Sequence, residues 1–194
     1  MVRVVGMIDL AALPVGTVVL FQGPLTDPID LGIDIATKSR WTHAAVVRYP
    51  GYIVECTRPL PLIDHGIDGV QESSLADKLA SVELGTSAAA FIPNDAMPDE
   101  YGFSTFIDHC LNLHIKYGVD ELFKFLFHVE QRPSDDALEM VCSTFVAGAL
   151  VNGRLLPWTL NWALVTPVML AGLLCEIGCK IVPILGNQDL KGVM

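Results

Sequence analysis

Basic residues are the scarcest chemical class in this chain. Lysine and arginine together number 12 against 22 aspartates and glutamates, for a formal net charge of −10 and a pI near 4.7. A nucleic-acid partner needs a basic face, so the balance argues against one. It also disfavours electrostatic docking to anionic lipid. Charge of either sign is thin: 18% of residues are charged, against roughly 25% in typical domains. Five cysteines is an odd number, and no regular spacing suggests a disulfide framework. Cys175 and Cys179 are one helical turn apart but have no matching second pair. Reduced, buried thiols of a cytoplasmic protein are expected. The first residues lack the charged region and clean apolar core of a secretory leader. No repeat or low-complexity segment interrupts the chain.

Apolar residues, by contrast, are abundant: 52% of the 194 residues, with a mean hydropathy of +0.47. That length supports one well-cored domain over 1–194. Leu155 to Cys175 is a run of 21 residues without a charge, long enough to span a bilayer. It contains Pro157, Asn161, Thr166 and Pro167, however, and Thr166-Pro167 reads as a capped helix start. A buried loop followed by a buried helix is expected there rather than a transmembrane span. An apolar surface for a membrane face or a protein partner is the third reading.

Pattern and punctuation predict a strand at 17–22 and a helix from Pro28 to Thr37. A hairpin of 42–48 and 52–57 follows, then a loop with short strands over 58–72. Ser73–Leu79 reads as a short helix and Ser87–Ile92 as a strand. Pro98-Asp99-Glu100 opens a helix expected to run to Tyr117, with a second at 120–127. Helices beginning at Cys142 and Pro167 and a strand at Lys180–Leu185 complete an α+β mixture.

Within this frame one histidine and one carboxylate fall together. His43 lies in Trp41-Thr42-His43-Ala44-Ala45-Val46-Val47, and Glu55 in Tyr52-Ile53-Val54-Glu55-Cys56. With Tyr49-Pro50-Gly51 as a three-residue loop, positions 43 and 55 share a face of the hairpin, opposite or diagonal to one another. A two- or four-residue loop would put them on opposite faces. Glu55 can then accept from one ring nitrogen of His43 and leave the other free. Pairing of Glu55 with Arg48 or Arg58 is the plainer alternative.

Cys142 lies in Val141-Cys142-Ser143-Thr144-Phe145-Val146-Ala147, read as the start of a helix. Upstream Ser134-Asp135-Asp136 offers capping groups, and Asn152-Gly153 supplies a stop. A helix N-terminus favours a thiolate, and its free N–H groups suit an oxyanion. A thiol nucleophile needs a base and the base an orienter; Cys142, His43 and Glu55 fill those roles in the order His, Glu, Cys. Cys56 points away from His43, which weakens a zinc site made from His43, Cys56 and Cys142. His109 and His114 are five apart and share no helical face well, so they too suggest no metal. His65 and His128 read as structural.

Several stretches resemble a known family. Pro14-Val15-Gly16-Thr17-Val18-Val19-Leu20-Phe21, the 29–40 segment, Trp41 to Val47, Val54-Glu55-Cys56-Thr57, Val141 to Val146 and Val165 to Ala171 together resemble the circularly permuted papain-like cysteine hydrolases. That branch includes lecithin–retinol acyltransferase-like proteins and bacterial peptidases and amidases. The resemblance covers roughly the first and last thirds of the chain; residues 60 to 135 show none. It implies an antiparallel sheet with the nucleophile at the N-terminus of a helix packed on it. It also implies Cys142 as nucleophile, His43 as base and Glu55 as orienter. Gln22 and Ser143 are candidate oxyanion or substrate contacts. The implied activity is thiol hydrolysis or acyl transfer through a thioester, on peptide, peptidoglycan or lipid, with no cofactor and no metal. A catalytically inactive assembly module on the same fold is the alternative. The apolar set Phe103, Phe106, Leu111, Leu113, Leu122, Phe123, Phe125, Leu126 and Phe127 reads equally as core or as the wall of an acyl groove.

Overall fold

Strand alternation sets the layering of this protein. The computed structural model describes residues 9–23, 39–57, 68–82, 85–94, 97–118 and 139–185. Its strands are Val18–Gln22 (β1), His43–Tyr49 (β2), Tyr52–Thr57 (β3), Gly69–Ser74 (β4), Ser87–Ile92 (β5), Lys116–Tyr117 (β6), Glu139–Met140 (β7) and Lys180–Leu185 (β8). Helices are Leu75–Ser81 (α1), Glu100–Asn112 (α2), Cys142–Asn152 (α3) and Pro167–Glu176 (α4). Six strands form one sheet in the order β4-β3-β2-β1-β5-β8, antiparallel throughout. The architecture is α+β, as the sequence pattern implies.

The central strands are apolar at nearly every position because both faces of the sheet are covered. Val18, Leu20, Ala44, Val46, Val54, Cys56, Ala89 and Phe91 pack with Phe103 and Ile107 of α2, Phe145 and Val146 of α3 and Leu170 of α4. The intervening residues Val19, Phe21, Ala45, Val47, Ile53, Ala88 and Ala90 pack with Leu75 and Leu79 of α1. Position 56 therefore faces α3, while position 55 faces α1.

The hairpin reaches the expected parity by another route. Its turn is the two residues Pro50-Gly51, since Tyr49 pairs with Tyr52, and the register then shifts between Val47 and Tyr49 so that Ala45 lies opposite Glu55. The extra residue, Arg48, makes a bulge. A two-residue turn alone would have separated His43 and Glu55; turn and bulge together restore their common face. Arg48 is held by Asp108 of α2 and, at 3.3 Å, by Glu72 of β4. Glu72 also accepts from the Tyr49 hydroxyl at 2.8 Å.

Two expected boundaries move. Residues 69–74 form β4, and the short helix begins at Leu75, capped by Ser74 Oγ accepting from the Asp77 N–H. α2 ends at Asn112, not Tyr117. His114 adopts a positive φ of 51°, and the N–H groups of His114 and Ile115 donate back to the carbonyls of Leu111 and Cys110. That is a Schellman stop, usually marked by glycine; here histidine occupies the left-handed position and hides the signal. The predicted helices at 28–37 and 120–127 and the capping groups at 134–136 lie outside the described residues.

α3 matches its expected span and is buried on all sides over Cys142 to Leu150. Two glycines let it lie close to α2. A Cβ on Gly102 would collide with the Asn152 carbonyl oxygen, and one on Gly148 would sit 2.7 Å from Phe106 Cζ. Phe106 stacks on Phe145 and meets Trp162 edge-on. The charge-free stretch resolves into a loop, a 3-10 turn at Trp162–Leu164 and α4, whose N-cap Thr166 accepts from the Met169 N–H at 3.0 Å. It is only partly buried: Leu156, Val165, Leu170 and Leu174 are core, but Trp158 is 86% exposed. No helix among the described residues is long and apolar enough to cross a membrane.

Candidate active site

His43 opens β2 and Cys142 opens α3, so both stand at element ends. The Cys142 Sγ lies 3.9 Å from the carbonyl oxygen of Thr42, the residue preceding His43. Thr42 is fixed in turn, its hydroxyl accepting from the Gly23 N–H at 2.9 Å and its own N–H donating to Phe21 at 2.9 Å. Cys142 is 2% exposed. The N-cap residue Val141 offers no side-chain acceptor. Instead the Thr144 hydroxyl accepts from the Val141 N–H at 3.1 Å and donates to its carbonyl at 2.9 Å. The N–H groups of the first helical turn have no intrahelical acceptor, and they favour negative charge on the residue that starts the helix.

Glu55 is diagonal to His43 across the β2–β3 pair, and its Oε2 lies 2.6 Å from His43 Nε2. The side chain of Glu55 is 1% exposed and that of His43 19%. Tying Nε2 to the carboxylate leaves Nδ1 as the ring nitrogen free for proton transfer. The ring also packs tilted on Phe21, its cross-strand partner, at 5.6 Å.

Electrostatics follow from this packing. Burial disfavours the charged imidazolium of His43, but charge attraction and a hydrogen bond from Cys142, then the bond and charge of Glu55, outweigh it and raise the pKa to about 9. Burial likewise disfavours the Glu55 carboxylate, yet His43 and then Lys78 hold its pKa down at about 2. Burial pushes Cys110 to about 12 and Cys179 to about 11 and raises Cys56 and Cys175.

The sign of the resulting pH dependence is fixed. His43 contributes stability that is full below its ordinary 6.5 and is lost as pH rises through about 9. Glu55 contributes stability that is full above its ordinary 4.5 and is lost as pH falls through about 2. Thermal melts should therefore show their highest midpoint between about pH 4.5 and 6.5 and a decline toward pH 9. In Cys142→Ala that decline should begin at lower pH, because Cys142 is the larger of the two groups favouring the imidazolium. A decline unchanged by the substitution would show that Cys142 and His43 do not interact.

Of the five sequence-predicted site residues, His43, Glu55 and Cys142 thus come together. The plainer partners of Glu55 do not hold: Arg48 turns to Glu72 and Asp108, and Arg58 lies outside the described residues. Ser143 is buried beside Cys142, and its hydroxyl has no hydrogen-bond partner among the described residues. Gln22 lies on the α3 side of β1, and its amide oxygen accepts from Ser87 Oγ at 2.9 Å. Cys56 faces α3, its thiol donating to the Met140 carbonyl at 3.1 Å. Among the described residues no three His, Cys, Asp or Glu side chains cluster as metal ligands.

One participant was not foreseen. Lys78 of α1 reaches Glu55 Oε2 at 2.8 Å. It falls 23 positions after Glu55, on a helix whose packing partner cannot be read locally. Its half-buried spacing with Leu75 and Leu79 was the only available signal.

No family model matches the chain, and no curated protein matches it. Among solved structures, a metalloprotein, yiiX of Escherichia coli, is similar with a TM-score of 0.49 and 15% identity, over 74% of this chain and 68% of that one.

Proposed function

We propose that this protein is a thiol hydrolase or acyltransferase with Cys142 as nucleophile, His43 as base and Glu55 as orienter, on a permuted papain-like fold. The observation that carries the proposal is the placement of His43. Its Nε2 is tied to a buried carboxylate at 2.6 Å, and its charged form is favoured by a cysteine at the first residue of a buried helix. The family resemblance of the flanking stretches supports the same assignment.

In this reading Cys142 gives its proton to His43 Nδ1, and the thiolate sulfur bonds to the substrate carbonyl carbon. The oxyanion forms against the first-turn N–H groups of α3, with the Ser143 hydroxyl and the Gln22 amide as further donors. Collapse breaks the bond to the leaving amine or alcohol, which takes the proton from His43. A water, deprotonated by His43, then releases the acid and regenerates the thiol; an acceptor nucleophile in place of water gives acyl transfer.

The substrate is an acyl compound, with peptide or peptidoglycan and lipid as the two classes to be separated. Intact mass spectrometry after incubation with a long-chain ester and, separately, a cell-wall peptide separates them. An adduct at Cys142 from the ester alone assigns a lipid substrate; from the peptide alone, a peptidase or amidase. No adduct together with a Cys142 inert to electrophiles would overturn the hydrolase reading. It would favour the non-catalytic assembly module, for which the exposed Trp158, Met169 and Leu164 supply the apolar surface.

A further inference from the structure

Lys78 belongs to the same charge network, and its place there has a consequence for the nucleophile. A single oxygen, Glu55 Oε2, receives both His43 Nε2 at 2.6 Å and Lys78 Nζ at 2.8 Å. The Lys78 side chain is only 21% exposed and lies over the Phe21 ring, 5.9 Å from its centroid. That ring also packs on His43. Lysine, carboxylate, imidazole and ring therefore form one contiguous group on the α1 face of the sheet.

Charge counting gives this arrangement a role. A thiolate, an imidazolium and a carboxylate sum to −1, and an uncompensated charge in a buried site is costly. Adding the Lys78 ammonium brings the sum to zero in the reactive state. In the state that loses the proton, with Cys142 as thiol and His43 as imidazolium, the groups sum to +1 with Lys78 and to zero without it, so the lysine favours release of the thiol proton. Lysine thus neutralises the carboxylate in both states, so that the imidazolium is left to balance the thiolate.

Resting on the hydrolase reading above, we propose that Lys78 is a positioning residue of the site. It pins the Glu55 carboxylate and supplies the fourth charge that lets Cys142 and His43 exist as an ion pair. Among the described residues, the charged and titratable groups facing Glu55 from the packed elements are His43 of β2 and Lys78 of α1; β4 places the uncharged Gln71 opposite it. Cys142 of α3 faces His43 from the sheet end. Asp77 of α1 is exposed to solvent, and Glu72 of β4 is engaged by Arg48 and Tyr49 on the other side of the hairpin.

The test is the pH dependence of Cys142 alkylation by iodoacetamide, read by mass spectrometry on the native protein. Lys78→Met removes the positive charge, so the midpoint of the rate–pH curve should rise by about one pH unit. Lys78→Arg keeps the charge and should leave the midpoint within about 0.3 unit of wild type. The double variant Lys78→Met/Glu55→Gln removes both charges and serves if the single one does not fold. Its midpoint should return toward wild type while its rate stays low, because the orienting carboxylate is gone. A purely structural lysine would alter stability without moving the midpoint. An unmoved midpoint in folded Lys78→Met, or a double variant whose midpoint lies a full unit above wild type, would overturn the inference. A wild-type Cys142 that never alkylates would instead overturn the hydrolase reading beneath it.

Discussion

His43→Ala should slow alkylation of Cys142 at pH 6 by about 100-fold, and Glu55→Gln by about tenfold. At that pH an unassisted thiol is almost wholly protonated, so its reactivity depends on a neighbour that takes the proton and remains as a cation. In the proposed mechanism His43 is that neighbour, and with a pKa raised to about 9 it retains the proton through neutrality. Glu55 acts one step back. Its glutamine variant keeps an acceptor oxygen near Nε2 but loses the charge that favours the imidazolium. The order of the two effects is therefore part of the prediction. A Glu55→Gln penalty equal to that of His43→Ala would mean that the carboxylate contacts the reacting atoms itself. No penalty in either variant would mean that the histidine is an ordinary end-of-strand residue.

Glu55→Ala should also destabilise the protein by about 3 kcal/mol or more at pH 6, read as a lower urea midpoint with unchanged slope. Removing the carboxylate, whose side chain is 1% exposed, leaves the mostly buried Lys78 ammonium and His43 imidazolium facing each other without their shared partner. Breaking a buried pair from one side costs far more than the pair's net worth, because the remaining charge stays desolvated. Arg154→Ala provides the contrast. Arg154 is well exposed, with its Nε 3.5 Å from Asp99, and its loss should change stability by less than about 0.5 kcal/mol. Equal effects from the two substitutions would show that Glu55 carries no buried charge.

The parts of this site that could be read from sequence are those governed by short-range rules. Cys142 at a helix start follows from the apolar run and the Asn152-Gly153 stop. Strands at 87–92 and 180–185 and the Thr166-Pro167 helix start follow from period and capping. Other parts depend on contacts that no window contains. Alternation places His43 and Glu55 on one face through a three-residue loop, whereas the chain uses a two-residue turn and a bulge at Arg48. That bulge is secured by Glu72 and Asp108, 24 and 60 positions away. α2 ends five residues before the position its pattern predicts because His114, not glycine, takes the left-handed position. Lys78 was missed because nothing near it in sequence announces a carboxylate waiting on the adjacent strand.

The central claim, that Cys142 is a chemically activated nucleophile, is tested most directly by competition among the five thiols. Wild-type protein at pH 6.5 is treated with limiting iodoacetamide and digested, and the label on each cysteine is quantified. Accessibility alone favours Cys175, the exposed member of the set, over the buried Cys56, Cys110, Cys142 and Cys179. The proposed pairing with His43 favours Cys142, while burial raises the pKa of each of the other four. Label appearing first on Cys142, at least about tenfold ahead of Cys175, is the result expected of a thiolate at a helix N-terminus. Label appearing first on Cys175, with Cys142 unmodified, would contradict the account.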